Sequence, residues 1–263
     1  MVKTLLVTND DGIDAPGIWT LVNSLTAFYD ITVVAPHKDQ SGTSSSVSIK
    51  KPIHTTEIDP LPYLTFKSSN KIRAYSVEGT PADSCIVGIE CIHESEGIDL
   101  VISGINRGAN LGWDTLVSGT VGAAMQGYVR GISAIAVSVT AIENTIYTNA
   151  ADFTLRVITG LLKNPNNNPA LININVPNLE PSEIKGIDIT KLGERSWAES
   201  ITKIPTKSGV TYQFARDRKI FQNAIKGTDL YSIENNRISV TPMSIDLSDK
   251  SSNVSKSLSF LTN

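Results

Sequence analysis

With 263 residues the chain can bury a substantial core, and 40% hydrophobic with 19% charged residues is the make-up of a globular protein, not a disordered one. A net charge of −3 excludes a protein whose main work is coating nucleic acid polymers, while leaving room for a local cation that draws in an anionic substrate. No apolar run could span a bilayer, and no basic segment followed by a long apolar one opens the chain, so the expected setting is the cytoplasm, without membrane or nucleic-acid partners.

Leu5-Leu6-Val7-Thr8 predicts a buried parallel strand, and it ends abruptly in Asn9-Asp10-Asp11-Gly12. Neighbouring side chains on a strand point to opposite faces, so Asp10 and Asp11 can meet one ion only where the chain leaves the strand, a turn that Gly12 permits. The two readings of this turn are a divalent-cation site and a polar cap on the following helix. A helical pattern through Ile18, Leu21, Val22 and Leu25 and a second strand, Ile31–Pro36, complete a βαβ unit. No G-x-G-x-x-G follows the first strand, so a dinucleotide fingerprint is absent.

The loop after the second strand, His37 to Ser46, emerges at the same sheet edge as the acidic turn. Its Ser41-Gly42 and following hydroxyls suit a metal, a phosphate or simply a flexible polar loop. Short extended runs at Ile53–Ile58, Leu64–Lys67 and Ile72–Val77 predict an antiparallel hairpin inserted beside the main sheet. Thr80-Pro81-Ala82-Asp83 starts a helix, with Thr80 as N-cap, Pro81 in the first turn and Asp83 at the positive end. Cys85 and Cys91 fall in this helix, too far apart to bridge, and no His partners them at zinc spacing; buried free thiols in a reducing compartment are expected.

A third apolar strand from Asp99 runs into Ser103-Gly104-Ile105-Asn106-Arg107-Gly108-Ala109-Asn110-Leu111-Gly112, whose glycines would let backbone N–H groups approach an anion. Ser118-Gly119-Thr120 then opens a helix, a phosphate site by its dipole and exposed donors; close packing against the sheet selects the same small residues. Further strands follow at Ala134–Val139 and Ala170–Pro177, with a helix at Asn149–Leu162 between them. Asn173 and Asn175 are awkward in a core, and either bond across a seam or point to the site. Beyond Pro177, Ile184–Leu192 and Thr211–Arg216 read as strands of a projecting hairpin, Gly227–Tyr231 as a helix start and Ile238–Pro242 as a last strand. The Ser- and Lys-rich end, residues 249–263, is expected to fray or pack on a partner.

Together these blocks resemble the survival protein E (SurE) family of 5′-nucleotidases. The carrying stretches are T-N-D-D-G-I-D-A-P-G from Thr8, S-G-T-S-S-S-V-S from Ser41, V-E-G-T-P-A-D-S from Val77 and D-L-V-I-S-G-I-N-R-G-A-N-L-G from Asp99. S-G-T-V-G-A-A from Ser118, N-I-N-V-P from Asn173 and I-S-V-T-P from Ile238 extend the match almost end to end. The resemblance implies an α/β fold: a Rossmann-like three-layer core with a mostly parallel sheet, over residues 1–180, plus inserted and C-terminal β-hairpins. Residues 181–263 would form the extended hairpin and oligomerisation segment of a homodimer or homotetramer. It implies a metal-dependent phosphomonoesterase acting on nucleoside 5′-monophosphates, extending to 3′-monophosphates and short polyphosphate. It also implies a metal set of Asp10, Asp11, Ser41 and Asn106. Family members commonly carry Tyr where this chain has Val117 and Glu where it has Gln126.

Two carboxylates with neutral Ser and Asn oxygens form a hard set suited to one Mg²⁺ or Mn²⁺ per subunit. The expected chemistry is metal-assisted attack of water, with Asp10 or Asp11 positioning or deprotonating it; direct attack by a carboxylate is the other route. Asn9, Gly42, Asn110, Ser118, Gly119 and Thr120 are the candidate phosphate contacts. His37 adjoins the serine loop but is not singled out as a base. A haloacid-dehalogenase-type phosphatase normally spaces its acids as D-x-D, unlike the adjacent pair here. A non-catalytic metal- and nucleotide-binding regulator is the remaining alternative.

Overall fold

The computed structural model describes residues 2–65, 68–93, 97–163, 168–194, 201–214 and 224–248. Its main sheet begins with β1 (Thr4–Thr8), β2 (Asp30–Pro36), β3 (Thr55–Ile58) and β4 (Ile72–Val77). It continues with β5 (Leu100–Arg107), β6 (Ala134–Val139), β7 (Leu171–Val176) and β8 (Ile187–Ile189). A separate hairpin is formed by β9 (Ile201–Thr206) and β10 (Gly209–Phe214), and β11 (Ile238–Met243) returns to the main sheet. The helices are α1 (Pro16–Leu25), α2 (Pro81–Val87), α3 (Gly119–Val129), α4 (Thr148–Lys163) and α5 (Asp229–Glu234).

The main sheet runs β3-β4-β2-β1-β5-β6-β7-β11-β8. From β4 to β7 every pair is parallel; β3 is antiparallel to β4, and β11 is antiparallel to β7. Strand parity separates two cores. Leu5, Val7, Leu100 and Ile102 face α1 and α4, packing with Ile18, Leu21, Leu25 and Ile158. Leu6 and Val101 face α2 and α3, packing with Cys85, Val121 and Ala124. Strands buried on both faces explain the unbroken apolar runs in the sequence. Among the described residues no helix is long and apolar enough to cross a membrane.

The three-layer α/β architecture agrees with the expected fold class, and the differences are local. Because β4 pairs in parallel with β2, the β3–β4 pair extends the main sheet and does not stand beside it. The run expected from Leu64 is preceded by a 3₁₀ turn, Leu61–Tyr63, and Leu64 and Thr65 are not in a strand; residues 66 and 67 lie outside the described set. Ile184–Leu192 yields only β8, parallel to β11, so it is not an arm of the projecting hairpin. That hairpin pairs β10 with β9, whose Lys203 and Pro205 hide a strand with every residue exposed. Residues 215 and 216 of the expected strand, and the end from 249, lie outside the described residues.

The cysteines divide. Cys85 is buried and Cys91 is exposed: α2 gives way at Gly88 to a π-type turn, in which Ile89 and Ile92 face the core and Cys91 faces outward. The strand from Asp99 also runs further than its small residues suggest. Gly104 lies inside β5, where a Cβ would come within 2.4 Å of the Val137 carbonyl oxygen, so that glycine serves strand packing and not an anion.

Candidate functional site

Sheet order reverses direction at β1, which has β2 on one side and β5 on the other. The carboxyl ends of these three strands therefore open around a single crevice, the usual ligand position in open α/β sheets. A cavity of about 270 Å³ lies there, lined by Asp10, Asp11, Ser41, Gly42, Asn106, Asn110 and Ser118 among others. All four residues of the expected metal set border it, with three of the expected phosphate contacts.

The acidic turn is rigidly made. Asn9, fully buried, donates from Nδ2 to Gly12 O (2.7 Å) and accepts from Gly12 N (3.2 Å), so its amide is closed on the turn and does not face the cavity. Gly12 has φ +100°, and a Cβ there would approach the Lys38 backbone at 3.0 Å, so this position favours glycine on both counts. The neighbouring loop is bonded directly to the turn, Gln40 N donating to Asp10 O at 2.8 Å.

Past the strand end the two carboxylates separate to different supports. Asp10 is 3% exposed and accepts from Thr120 Oγ1 at 2.5 Å. Asp11 accepts from the Arg107 amide at 3.0 Å. Burial pushes the Asp10 carboxyl up to about 7, opposed by the Thr120 hydroxyl and reinforced by the negative charge of Asp11. Burial also raises Asp11, against the Arg107 amide and guanidinium, with Asp39 adding to the rise. A buried carboxyl beside a half-buried one, both raised by burial, is an arrangement that a bound divalent cation would relieve.

Helix α3 closes the back of the site through its small residues. A Cβ on Gly119 would lie 2.8 Å from Asp10 Cβ, and one on Gly122 would lie 2.3 Å from Ser44 O. These glycines are therefore selected by the acidic turn and the serine loop, not by packing on the sheet. Ser118 caps the helix, accepting from Val121 N at 3.1 Å, and Gly122 N starts the helical ladder on Ser118 O. The Gly119 and Thr120 amides precede both, at the positive end of the dipole. Ser118 borders the cavity, whereas Gly119 and Thr120 lie behind it against Asp10.

The serine loop is pinned from two helices. Ser44 donates through N to Val117 O (3.0 Å) and through Oγ to Leu116 O (2.7 Å), while Gln126 Nε2 donates to Ser45 Oγ (2.6 Å). From α2, Asp83 accepts Ser48 N and Ser48 Oγ at 2.9 and 2.7 Å while also completing the capping box with Thr80. Asp83 thus does more than favour a helix end. His37 is exposed, with Nδ1 3.3 Å from Val77 O, and does not line the cavity.

On the other side, Asn106 Nδ2 donates to Gly108 O at 2.7 Å, which leaves its amide oxygen as the atom to meet a cation. The two awkward asparagines of β7 find their use here. Asn173 Nδ2 and Asn175 Nδ2 both donate to Asn110 O (2.8 and 2.9 Å), and Asn175 Oδ1 accepts Asn110 N (2.8 Å). Asn110 borders the cavity, yet its Nδ2 donates to Ser138 Oγ at 2.8 Å, so that donor is engaged inside the protein. Asp229, fully buried at the start of α5, holds the next turn by accepting Gly112 N at 2.7 Å.

Residues 5–199 match the family model described as survival protein SurE. The chain belongs to the SurE family. It is 40% identical over 243 residues to the 5′-nucleotidase SurE of Nitrosomonas eutropha, covering 92% of this chain and 93% of that one. The 5′-nucleotidase SurE of Nitrosomonas europaea is 39% identical over the same shares. The crystal structure of the SurE protein from Aquifex aeolicus superposes with a TM-score of 0.83 at 35% identity, covering 99% of this chain and 100% of that one.

Against the SurE pattern, Gln126 keeps a structural task by bonding Ser45 and accepting from Arg130 Nη1 at 2.7 Å. Val117 is 52% exposed and forms an apolar wall of the cavity with Ile142. Three charged lining residues were not assigned from sequence: Asp39, Arg107 and Asp114. For Asp39 a signal existed, since Asp two residues before Ser is the spacing of an Asx turn. Among the described residues no three His, Cys, Asp or Glu side chains converge for a metal, so the fit rests on two carboxylates supplemented by neutral oxygens. That donor set, all oxygen and bordering one cavity, suits a hard divalent cation.

Proposed function

We propose that this chain is a 5′-nucleotidase that hydrolyses nucleoside 5′-monophosphates with one bound Mg²⁺ or Mn²⁺ per subunit. The observation that carries the reading is the meeting of Asp10, Asp11, Ser41 and Asn106, from three strand ends, on one cavity backed by the N-terminus of α3. Asp39 and Asp114 add further carboxylates to that lining, and among the described residues Arg107 is its one cation, so a phosphate dianion would be repelled without a metal.

Asp10, Asp11, Ser41 Oγ and Asn106 Oδ1 would hold the ion. When bound, it supplies Lewis-acid polarisation of a phosphoryl oxygen and acidifies water. The chain's own groups do the rest. Thr120 and the Arg107 amide fix one oxygen of each acid, so the pair keeps its orientation. The Ser118 hydroxyl and the Gly42 backbone hold phosphate oxygens as charge moves toward the leaving group, with the positive end of α3 behind them. Asn110 shapes the rim, and Asn9 shapes the turn. An Asp10 or Asp11 oxygen accepts a proton from the attacking water as the water oxygen bonds to phosphorus; the bond to the 5′-oxygen breaks, and that oxygen takes a proton from solvent to leave as the nucleoside hydroxyl. Val117 and Ile142 offer the sugar and base an apolar wall.

Residues 1–180 would be the catalytic core. Residues 181–263 would be the oligomerisation segment, returning β8 and β11 to edge the sheet and projecting β9–β10 toward a second copy in a homodimer or homotetramer. The exposure of Ile201, Tyr212 and Phe214 supports that role. The free thiols agree with a cytoplasmic setting.

The test is phosphate release from nucleoside 5′- and 3′-monophosphates and short polyphosphate, with chelator or with added Mg²⁺ or Mn²⁺. Metal-dependent turnover of the 5′-monophosphates is expected. Binding without release under every condition would favour a regulator, and an aspartyl-phosphate trapped at Asp10 or Asp11 would exclude direct attack by water.

A further inference from the structure

Asp39 stands at the cavity with no part in the chemistry so far. One of its oxygens, Oδ1, accepts two bonds from the same residue: Ser41 N at 2.8 Å and Ser41 Oγ at 2.6 Å. The first closes an Asx turn, a common feature of loops of this composition. The second is different in kind, because it decides where the serine proton points.

A serine hydroxyl has one proton and two lone pairs. To ligate a cation it must turn its lone pairs inward and its proton away. A neutral loop leaves that rotor undecided, whereas a carboxylate that accepts the proton at 2.6 Å fixes it and makes the oxygen more electron-rich. Elsewhere in proteins the groups behind a metal ligand orient it and strengthen its donor character in this way.

From this geometry we infer that Asp39 is a positioning residue for the cation site, acting through Ser41. It holds the Ser41 hydroxyl in the orientation in which its oxygen serves as a ligand, and it raises the donor strength of that oxygen. The inference rests on the reading of Ser41 as a metal ligand. It adds a fifth residue to the cation site, one that need not touch the ion.

Mn²⁺ affinity, measured by titration calorimetry on the full-length chain, tests it without reference to turnover. Asp39→Asn retains an acceptor for both Ser41 bonds but removes the charge, so a purely structural turn residue would leave affinity unchanged. The expected result is a loss of roughly tenfold or more in Asp39→Asn, and a larger loss in Asp39→Ala, with melting and far-UV spectra showing both variants folded. In a Ser41→Ala background only the through-space share of the Asp39 charge, which also reaches Asp11, remains, so Asp39→Asn should cost several-fold less there. Unchanged affinity in Asp39→Asn overturns the inference. An equal loss in both backgrounds also overturns it, because Asp39 would then act on the ion directly or through its charge alone. If Ser41→Ala by itself binds Mn²⁺ as the natural chain does, Ser41 is not a ligand, and both that reading and this inference fall together.

Discussion

Replacing Asp10 by Asn should make the metal-free protein more stable while abolishing its metal-dependent activity. The carboxyl of Asp10 is raised from an ordinary 3.8 to about 7, chiefly by burial. Between those values the folded state binds more protons than the unfolded one, so stability falls as pH rises through the window and the full deficit is present above it. At about 1.4 kcal/mol per pH unit the deficit is roughly 4 kcal/mol. Asparagine carries no charge to desolvate, and its Oδ1 can still accept the Thr120 hydroxyl bond. The variant should therefore melt several degrees above the natural chain near pH 8, at about 2–4 °C per kcal/mol for a domain of this size, with the gap closing toward pH 4.5. Asp11 titrates in both proteins and largely cancels. The assay is thermal melting in chelator across pH 4.5–8.5, repeated with saturating Mn²⁺, which should raise the natural chain and leave the variant unmoved. A variant no more stable at pH 8, or an excess that persists undiminished at pH 4.5, would refute burial as the origin of the Asp10 shift.

Gly119→Ala places a methyl 2.8 Å from Asp10 Cβ and 3.2 Å from Pro81 Cγ; it should cost about 1–3 kcal/mol of stability and lower kcat and metal affinity together, as denaturant melts and calorimetry would report. Asp229→Ala strands the amides of Gly112 and Gly193, each buried donor worth about 1–3 kcal/mol, so a large drop in melting temperature is expected although Asp229 does not line the cavity. In native protein one thiol per chain should react with a disulfide reagent, because Cys91 is exposed whereas burial pushes the Cys85 thiol up to about 12; two fast thiols would contradict the packing of α2 on the sheet.

Much of the site was legible because its ligand-bearing residues follow strands, and a parallel sheet delivers every strand's carboxyl end to one edge. The run Leu5 to Thr8 ending in Asn9-Asp10-Asp11-Gly12 could be read as a strand with its turn, and the βαβ spacing put the serine loop beside it. The hairpin was less legible. The charged and proline residues of β9 break the alternation that marks a half-buried strand, since neither face of that strand is buried.

Periodicity reports what kind of environment a face meets, but not which atom it meets. Asn173 and Asn175 could be seen as polar intruders in a core strand; only the closed sheet shows them reaching 63 and 65 residues back to hold Asn110. Gly119 and Gly122 could be seen as small, but their neighbours, Asp10 and Ser44, come from other strand ends. The sequence by itself therefore determined the layer architecture, the acidic turn and the edge at which ligands gather, because these follow from local pattern and the handedness of parallel crossovers. Tertiary structure alone decided which oxygens face the cavity, which amides are spent on neighbouring loops and where the Ser41 proton is held. Those depend on hydrogen bonds formed only once distant strand ends share one edge.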